Sequence, residues 1–176
     1  TKGVLGVHTV PAEFVTLQIE AVVSDIGCDA VKTGMLATAA IVEAVVAAIE
    51  SLDLPNLVVD PVMVAKSGDR LLDEDAVHAV RTHLLKVARV VTPNVPEAEI
   101  LSGVTIRSRA DMLEAARRIA RLGAGAIVMK GGHLSDPAMY DLLYEGGQVV
   151  EFETPRVPGR HTHGTGCTFA SAVAAG

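Results

Sequence analysis

Gly164-Thr165-Gly166-Cys167 leads into a run of small and apolar residues, Thr168 to Ala175, that reads as a helix with no side-chain cap. A glycine turn entering a helix gathers backbone N–H groups around one point, with the positive end of the helix dipole behind them, and so forms an anion hole. A thiol at a helix N-terminus is biased toward its thiolate, so Cys167 is placed to accept a proton. Lys130 is followed by Gly131 and Gly132, whose lack of bulk lets the ammonium approach a phosphate closely. Asp60, Asn94 and Glu97 supply oxygens suited to Mg²⁺ and its waters. An anion hole, a cation, a proton acceptor and oxygen ligands for Mg²⁺ are together what phosphoryl transfer needs.

Each residue alone also has a plain structural reading. Cys167 could be a small hydrophobe closing a turn, Lys130 a solvated strand end, and Asp60-Pro61 a turn. Asn94 could cap a short helix begun by Pro96. Met35 reads as a core filler and Cys28 as core, while Lys66-Ser67-Gly68-Asp69 reads as a solvated loop. His161 and His163 form an H-x-H pair without a third ligand at suitable spacing, so they read as loop polarity rather than a metal site; His133 is similar and could line a crevice. The case for chemistry is that the candidates recur at successive strand ends.

Those strand ends follow from hydrophobic periodicity. Val15, Ile19, Val22, Val23 and Ile26 recur at helical spacing after Pro11, and Ile41, Val42, Val45, Val46, Ile49 and Leu52 make a second amphipathic helix. Further helices are expected over 75–87 and 111–122. Strands are expected in DAVKTGM, LVVDP, RVVTPN and AIVMKGG, joined to the helices by connections of βα length. Two alternating segments around Gly146-Gly147 break the rhythm with a β-hairpin. The strands end at Lys32-Thr33-Gly34, Asp60-Pro61, Thr92-Pro93-Asn94 and Lys130-Gly131-Gly132. Ligands of open α/β sheets bind beyond the carboxyl ends of the strands, so the four clusters should converge on one crevice.

Composition agrees with that α/β reading. The chain has 176 residues, 49% hydrophobic and only 3% aromatic with no Trp, so its core must be built from Val, Ile, Leu and Ala, as suits parallel strands covered by helices. One domain spanning 1–176 is expected. Net charge is −6 and the basic residues are scattered, which argues against a nucleic-acid partner. Short, charge-interrupted apolar runs argue against a membrane span, and the start lacks a signal-peptide pattern, so a cytoplasmic protein is expected. Two cysteines without a C-x-x-C pair indicate neither a disulfide framework nor a zinc site.

The segments KTGML, VVDPVMVAKSG, TPNVPEAE, VMKGGH and above all HTHGTGCTF resemble the hydroxymethylpyrimidine and phosphomethylpyrimidine kinases of thiamine biosynthesis, within the ribokinase-like superfamily. The resemblance runs in order from near Gly6 to Ala175. It implies a three-layer αβα sandwich with a mainly parallel sheet and a hairpin at one edge. It also implies ATP and Mg²⁺ as cofactors, phosphorylation of 4-amino-5-hydroxymethyl-2-methylpyrimidine and then of its monophosphate, and a homodimer. Carried over residue by residue, Cys167 takes the place most relatives give to an aspartate base. Gly164, Thr165 and Gly166 form the anion hole, and Lys130 neutralises the transferring phosphate. Lys130, Asn94, Gly132, Thr165 and Gly166 contact the nucleotide, while Asp60, Asn94 and Glu97 organise Mg²⁺. Met35 and Val62, with Cys167, wall the pyrimidine.

The family also carries a first strand, a glycine-rich loop and a pyrimidine-reading glutamine before the segment matched by Thr1, and helices beyond Gly176. The sequence is therefore expected to be the central segment of such an enzyme. A pyridoxal-type vitamin kinase of the same superfamily and a non-catalytic nucleotide-binding fragment are the other readings.

Overall fold

A computed structural model describes residues 6–64, 71–132, 138–156 and 164–176. The expected alternation is present. Helix α1 (Ala12–Ile26) precedes strand β1 (Val31–Thr33), followed by α2 (Ala39–Ser51), β2 (Leu57–Val59) and α3 (Glu74–Ala79). One π-helical turn (Val80–Leu84) carries α3 into α4 (Leu85–Val87), so a single helical rod covers the expected 75–87 segment. Strand β3 (Val90–Val91), α5 (Val95–Ser102), α6 (Arg109–Ala120) and β4 (Ala126–Lys130) complete the alternation. The hairpin β5 (Ala138–Glu145) and β6 (Gln148–Pro155), then α7 (Thr165–Ala175), follow.

The six strands form one sheet in the order β1-β2-β3-β4-β5-β6. The first four run parallel and the hairpin joins antiparallel, with Lys130 opposite Asp141 and Leu143 opposite Val150. Because each parallel strand steps the same way across the sheet, right-handed crossovers put α2, α3 and the α5–α6 pair on one face. There Val42, Leu57, Val59, Val91, Met112, Ile119, Ile127 and Leu142 share one aliphatic core, each at most 2% exposed. Val58 and Ala170 are buried outside that cluster, and α7 packs on β1 and β2, so α7 covers the opposite face.

The helices start where capping chemistry predicts. Thr38 Oγ1 accepts from the Ile41 amide at 3.3 Å, the Asp73 carboxylate from Ala76 at 2.7 Å, and Ser108 from Asp111 at 3.2 Å. Helix α2 buries Ile41, Val42, Val45, Val46 and Ile49 in the spacing read from the sequence. Helix α1 is the exception. Ala12, Val15 and Ile19 pack partly against the core, but Val22 and Ile26 are 54% and 78% exposed. Its apolar periodicity is wider than the single face that α2 can cover. Cys28, expected in the core, is half-buried, and its thiol donates to the Ala30 carbonyl.

Gly131 has a packing duty that sequence reading did not assign. A Cβ at this position would collide with the backbone carbonyl of Tyr140, and its N–H donates to the Asp141 carboxylate at 2.9 Å. The missing side chain lets β5 lie against the end of β4. Gly131→Ala should therefore lower stability by about 1–3 kcal/mol, the usual cost of overpacking. A urea midpoint unchanged from the parent would show that the two strands can separate without penalty.

Candidate active site

The four strand ends do converge. The Asp60 amide donates to the Thr33 carbonyl at 3.1 Å, the Thr92 amide to Val59 at 2.9 Å, and the Lys130 amide to Pro93 at 2.9 Å, with Asn94 and Lys130 bridged in parallel register. Strand alternation turns Lys130 away from the face of Ile127 and Met129, toward the side that α7 covers.

Asp60 is the centre of this rim. Its side chain is only 3% exposed, and each carboxylate oxygen faces a different ammonium: Oδ1 lies 3.4 Å from Lys130 Nζ and Oδ2 lies 3.6 Å from Lys32 Nζ. Oδ2 has no hydrogen-bond partner. Both ammoniums occupy space left by glycines. Lys130 Nζ lies 3.2 Å from where a Gly166 Cβ would stand, at the first turn of α7, and Lys32 Nζ lies 3.3 Å from the equivalent point on Gly34. The lysine from β4 thus stands beside the glycine turn, adding a cation to the backbone N–H groups and dipole of a helix N-terminus.

Asn94 and Glu97 form a reciprocal capping box on α5. Asn94 Oδ1 accepts from the Glu97 amide at 3.0 Å, and Glu97 Oε2 from the Asn94 amide at 2.9 Å. The cap reading of Asn94 is therefore realised, and its side-chain oxygen already serves the helix. Glu97 is 3% exposed, and burial pushes its carboxyl up to about 7. The Asn94 amide and the Lys130 charge oppose that rise, and the charge on Asp60 adds to it.

Gly164 has φ 81°, the left-handed conformation that favours glycine, and its carbonyl accepts the Thr168 amide at 3.0 Å. Cys167 is exposed in the first turn of α7. Gly132 is half-buried, and a Cβ there would press on the Met139 side chain. Val62 lines a small pocket with Gly34, Leu36, Asp60 and Met63; Met35 is absent from that lining and is 38% exposed at the rim. His133, His161, His163 and residues 66–69 lie outside the described residues.

Among the described residues no group of three or more His, Cys, Asp or Glu is placed to hold a metal ion. Mg²⁺ asks for less, one or two carboxylates with phosphate oxygens and water supplying the rest. The buried carboxylate of Asp60, whose Oδ2 accepts no hydrogen bond, fits that demand. Lys32 is the residue sequence reading passed over, although KTGM was singled out. Its register opposite Val58, two residues before Asp60, was the available signal.

A family model described as phosphomethylpyrimidine kinase matches residues 1–176. The chain is 49% identical over 174 residues to a thiamine biosynthesis bifunctional protein of Geobacter sulfurreducens, covering 99% of this chain and 36% of that one. It is 47% identical to a hydroxymethylpyrimidine/phosphomethylpyrimidine kinase of Streptomyces coelicolor, covering all of this chain and 65% of the relative. Among solved structures, an ADP complex of Bacillus subtilis pyridoxal kinase superposes with a TM-score of 0.88 at 37% identity, over 97% of this chain and 63% of that one. The chain thus spans less than two thirds of each, and its fold is that of the ribokinase-like kinases. No described helix is long and apolar enough to cross a membrane. Family match, fold and strand-end geometry agree: the chain belongs to the phosphomethylpyrimidine kinase family.

Proposed function

We propose that this protein transfers the γ-phosphate of ATP to the hydroxymethyl group of the pyrimidine, and then to the resulting monophosphate, in thiamine biosynthesis. One observation carries the reading: Lys130 is held between buried Asp60 and Gly166 of the α7 turn, so a cation, a buried carboxylate and a helix N-terminus meet at one point. On this reading the amides of Gly164, Thr165 and Gly166 receive the phosphate oxygens, and Lys130 offsets the charge that builds on them. Asn94 and Gly132 flank the nucleotide, while Met35 and Val62 wall the pyrimidine.

Cys167 takes the proton of the substrate hydroxyl. The freed oxygen forms its bond to the γ-phosphorus as the bond to the ADP oxygen breaks. Bound Mg²⁺, held by Asp60 and by Glu97 from the capping box, would supply positive charge across the phosphates. The same reading makes the protein a cytoplasmic homodimer acting on a small molecule, with neither nucleic acid nor membrane as partner. A pyridoxal-type kinase is the second reading, favoured by the 0.88 TM-score to the pyridoxal kinase. ATP turnover by the full-length protein with each substrate separates them, and faster turnover of pyridoxal than of hydroxymethylpyrimidine would reverse the assignment.

Cys167→Ala in the full-length protein should lower kcat by about 100- to 10,000-fold, the worth of a positioned base, and Cys167→Asp should retain more activity than Ala. Activity of the Ala variant within twofold of the parent would remove Cys167 from that role. Lys130→Ala should lower kcat more than it weakens pyrimidine binding, because its charge acts during transfer. Calorimetry showing lost pyrimidine affinity with preserved turnover at saturation would move Lys130 into the substrate pocket.

Glu97 gives a prediction that needs no substrate. Its carboxyl titrates at about 7 in the folded chain against an ordinary 4.5, so the native state holds a proton that the unfolded chain releases between those values. The stabilisation is complete below about pH 4.5, is lost as pH rises through 7, and amounts to at most roughly 3 kcal/mol. Glu97→Gln stays neutral throughout, so its urea midpoint should fall less between pH 5 and 8 than that of the parent. Parallel pH profiles would mean that Glu97 is ionised across the range.

A further inference from the structure

Lys130 is accounted for by the transferring phosphate; Lys32 is not. Both ammoniums sit on one buried carboxylate, Lys130 on Oδ1 and Lys32 on Oδ2 of Asp60, so the rim carries one cation more than that single anion requires. The two lysines also stand beside different glycines. Lys130 rests on Gly166 in the α7 turn, whereas Lys32 lies over Gly34 at the end of β1, directly before Met35. Lys32 keeps 21% of its side chain exposed, against 3% for Asp60.

A neutral hydroxymethyl group has no use for this second ammonium. A substrate that already carries a phosphate does, because a phosphomonoester brings about −1.5 to −2 charges into the site at neutral pH. Desolvating that charge is costly unless a cation meets it, and Lys130 is committed to the incoming group. We propose that Lys32 is the specificity residue for the phosphorylated substrate: its ammonium swings from Asp60 Oδ2 to the phosphate of the phosphomethylpyrimidine. The proposal rests on the kinase reading above. It assigns the two lysines to the two phosphoryl groups joined in the second transfer, in which an oxygen of the substrate phosphate bonds to the γ-phosphorus and the ADP oxygen leaves.

The test compares Lys32→Met and Lys32→Arg with the parent, all in the full-length protein and checked for matched thermal unfolding. With ATP, kcat/KM is measured separately for hydroxymethylpyrimidine and for phosphomethylpyrimidine. Lys32→Met should lower the phosphomethyl value at least tenfold more than the hydroxymethyl value, chiefly through KM, and Lys32→Arg should recover most of the difference. Equal losses on both substrates would overturn the proposal and leave Lys32 as a holder of Asp60; so would no loss on either. Calorimetric titration of each pyrimidine without nucleotide reads the same preference independently of turnover. If the parent turns over neither compound, the kinase reading fails. Lys32 is then judged by binding alone, where a phosphomethyl preference equal in parent and Lys32→Met would overturn it. Should Lys32→Met unfold, Lys32→Gln takes its place in the same measurements.

Discussion

The carboxylate of Asp60 ties the C-terminal edge of the sheet together. It sits at the end of β2, 3% exposed, and it pairs with a lysine from β1 on one side and a lysine from β4 on the other. A buried charge is tolerated only when its partners are close, and removing one member of such a set leaves the others uncompensated. The constraint runs both ways. Asp60 needs the lysines to be buried, and the lysines need Asp60 to be held in the crevice rather than extended into solvent. Three strands far apart in sequence are thereby fixed at one height on the rim of the sheet.

Around that cluster the backbone is arranged to bring charge close. Gly166 and Gly34 leave the room that the two ammoniums fill, and the left-handed Gly164 sets the angle at which α7 departs. Helix α5 contributes in another manner. Its capping box spends one oxygen of Asn94 and one of Glu97 on helix amides, which pins a buried carboxylate at the rim while satisfying two otherwise unpaired donors. The cap that the sequence offered as the plain reading of Asn94 is thus also what fixes the Glu97 carboxylate beside the strand ends.

The alternation of elements was legible because β-branched runs and helical spacing are local signals, and the crevice was legible because topology places ligands at strand ends. What escaped was pairwise and non-local. Lys32 lies in a segment recognised from the start, but nothing adjacent to it in sequence announces that Asp60 is its partner; only the β1–β2 register does. Gly131 was read as clearing a path for phosphate, whereas the contact that forbids a side chain there comes from the Tyr140 backbone. In α1, periodicity marked Val22 and Ile26 as apolar correctly but could not say how much of that surface α2 would cover.

The π-helical turn at Val80–Leu84 has a consequence for how the length of this segment can vary. A π turn holds one residue more than an α-helical turn, so the part of the rod before it is rotated by about 100° relative to a continuous α-helix. Ala76 and Ala79 ahead of the turn, Val80 and Leu84 within it and Leu85 behind it are all buried, the offset bringing Leu85 back onto their face, and Val80 and Leu84 also border the pocket beside Asp60. Loss of a single residue here would restore regular helical geometry and carry one half of the rod off its face. Sequence length in this stretch is thus a constraint on the shape of the pocket beside Asp60.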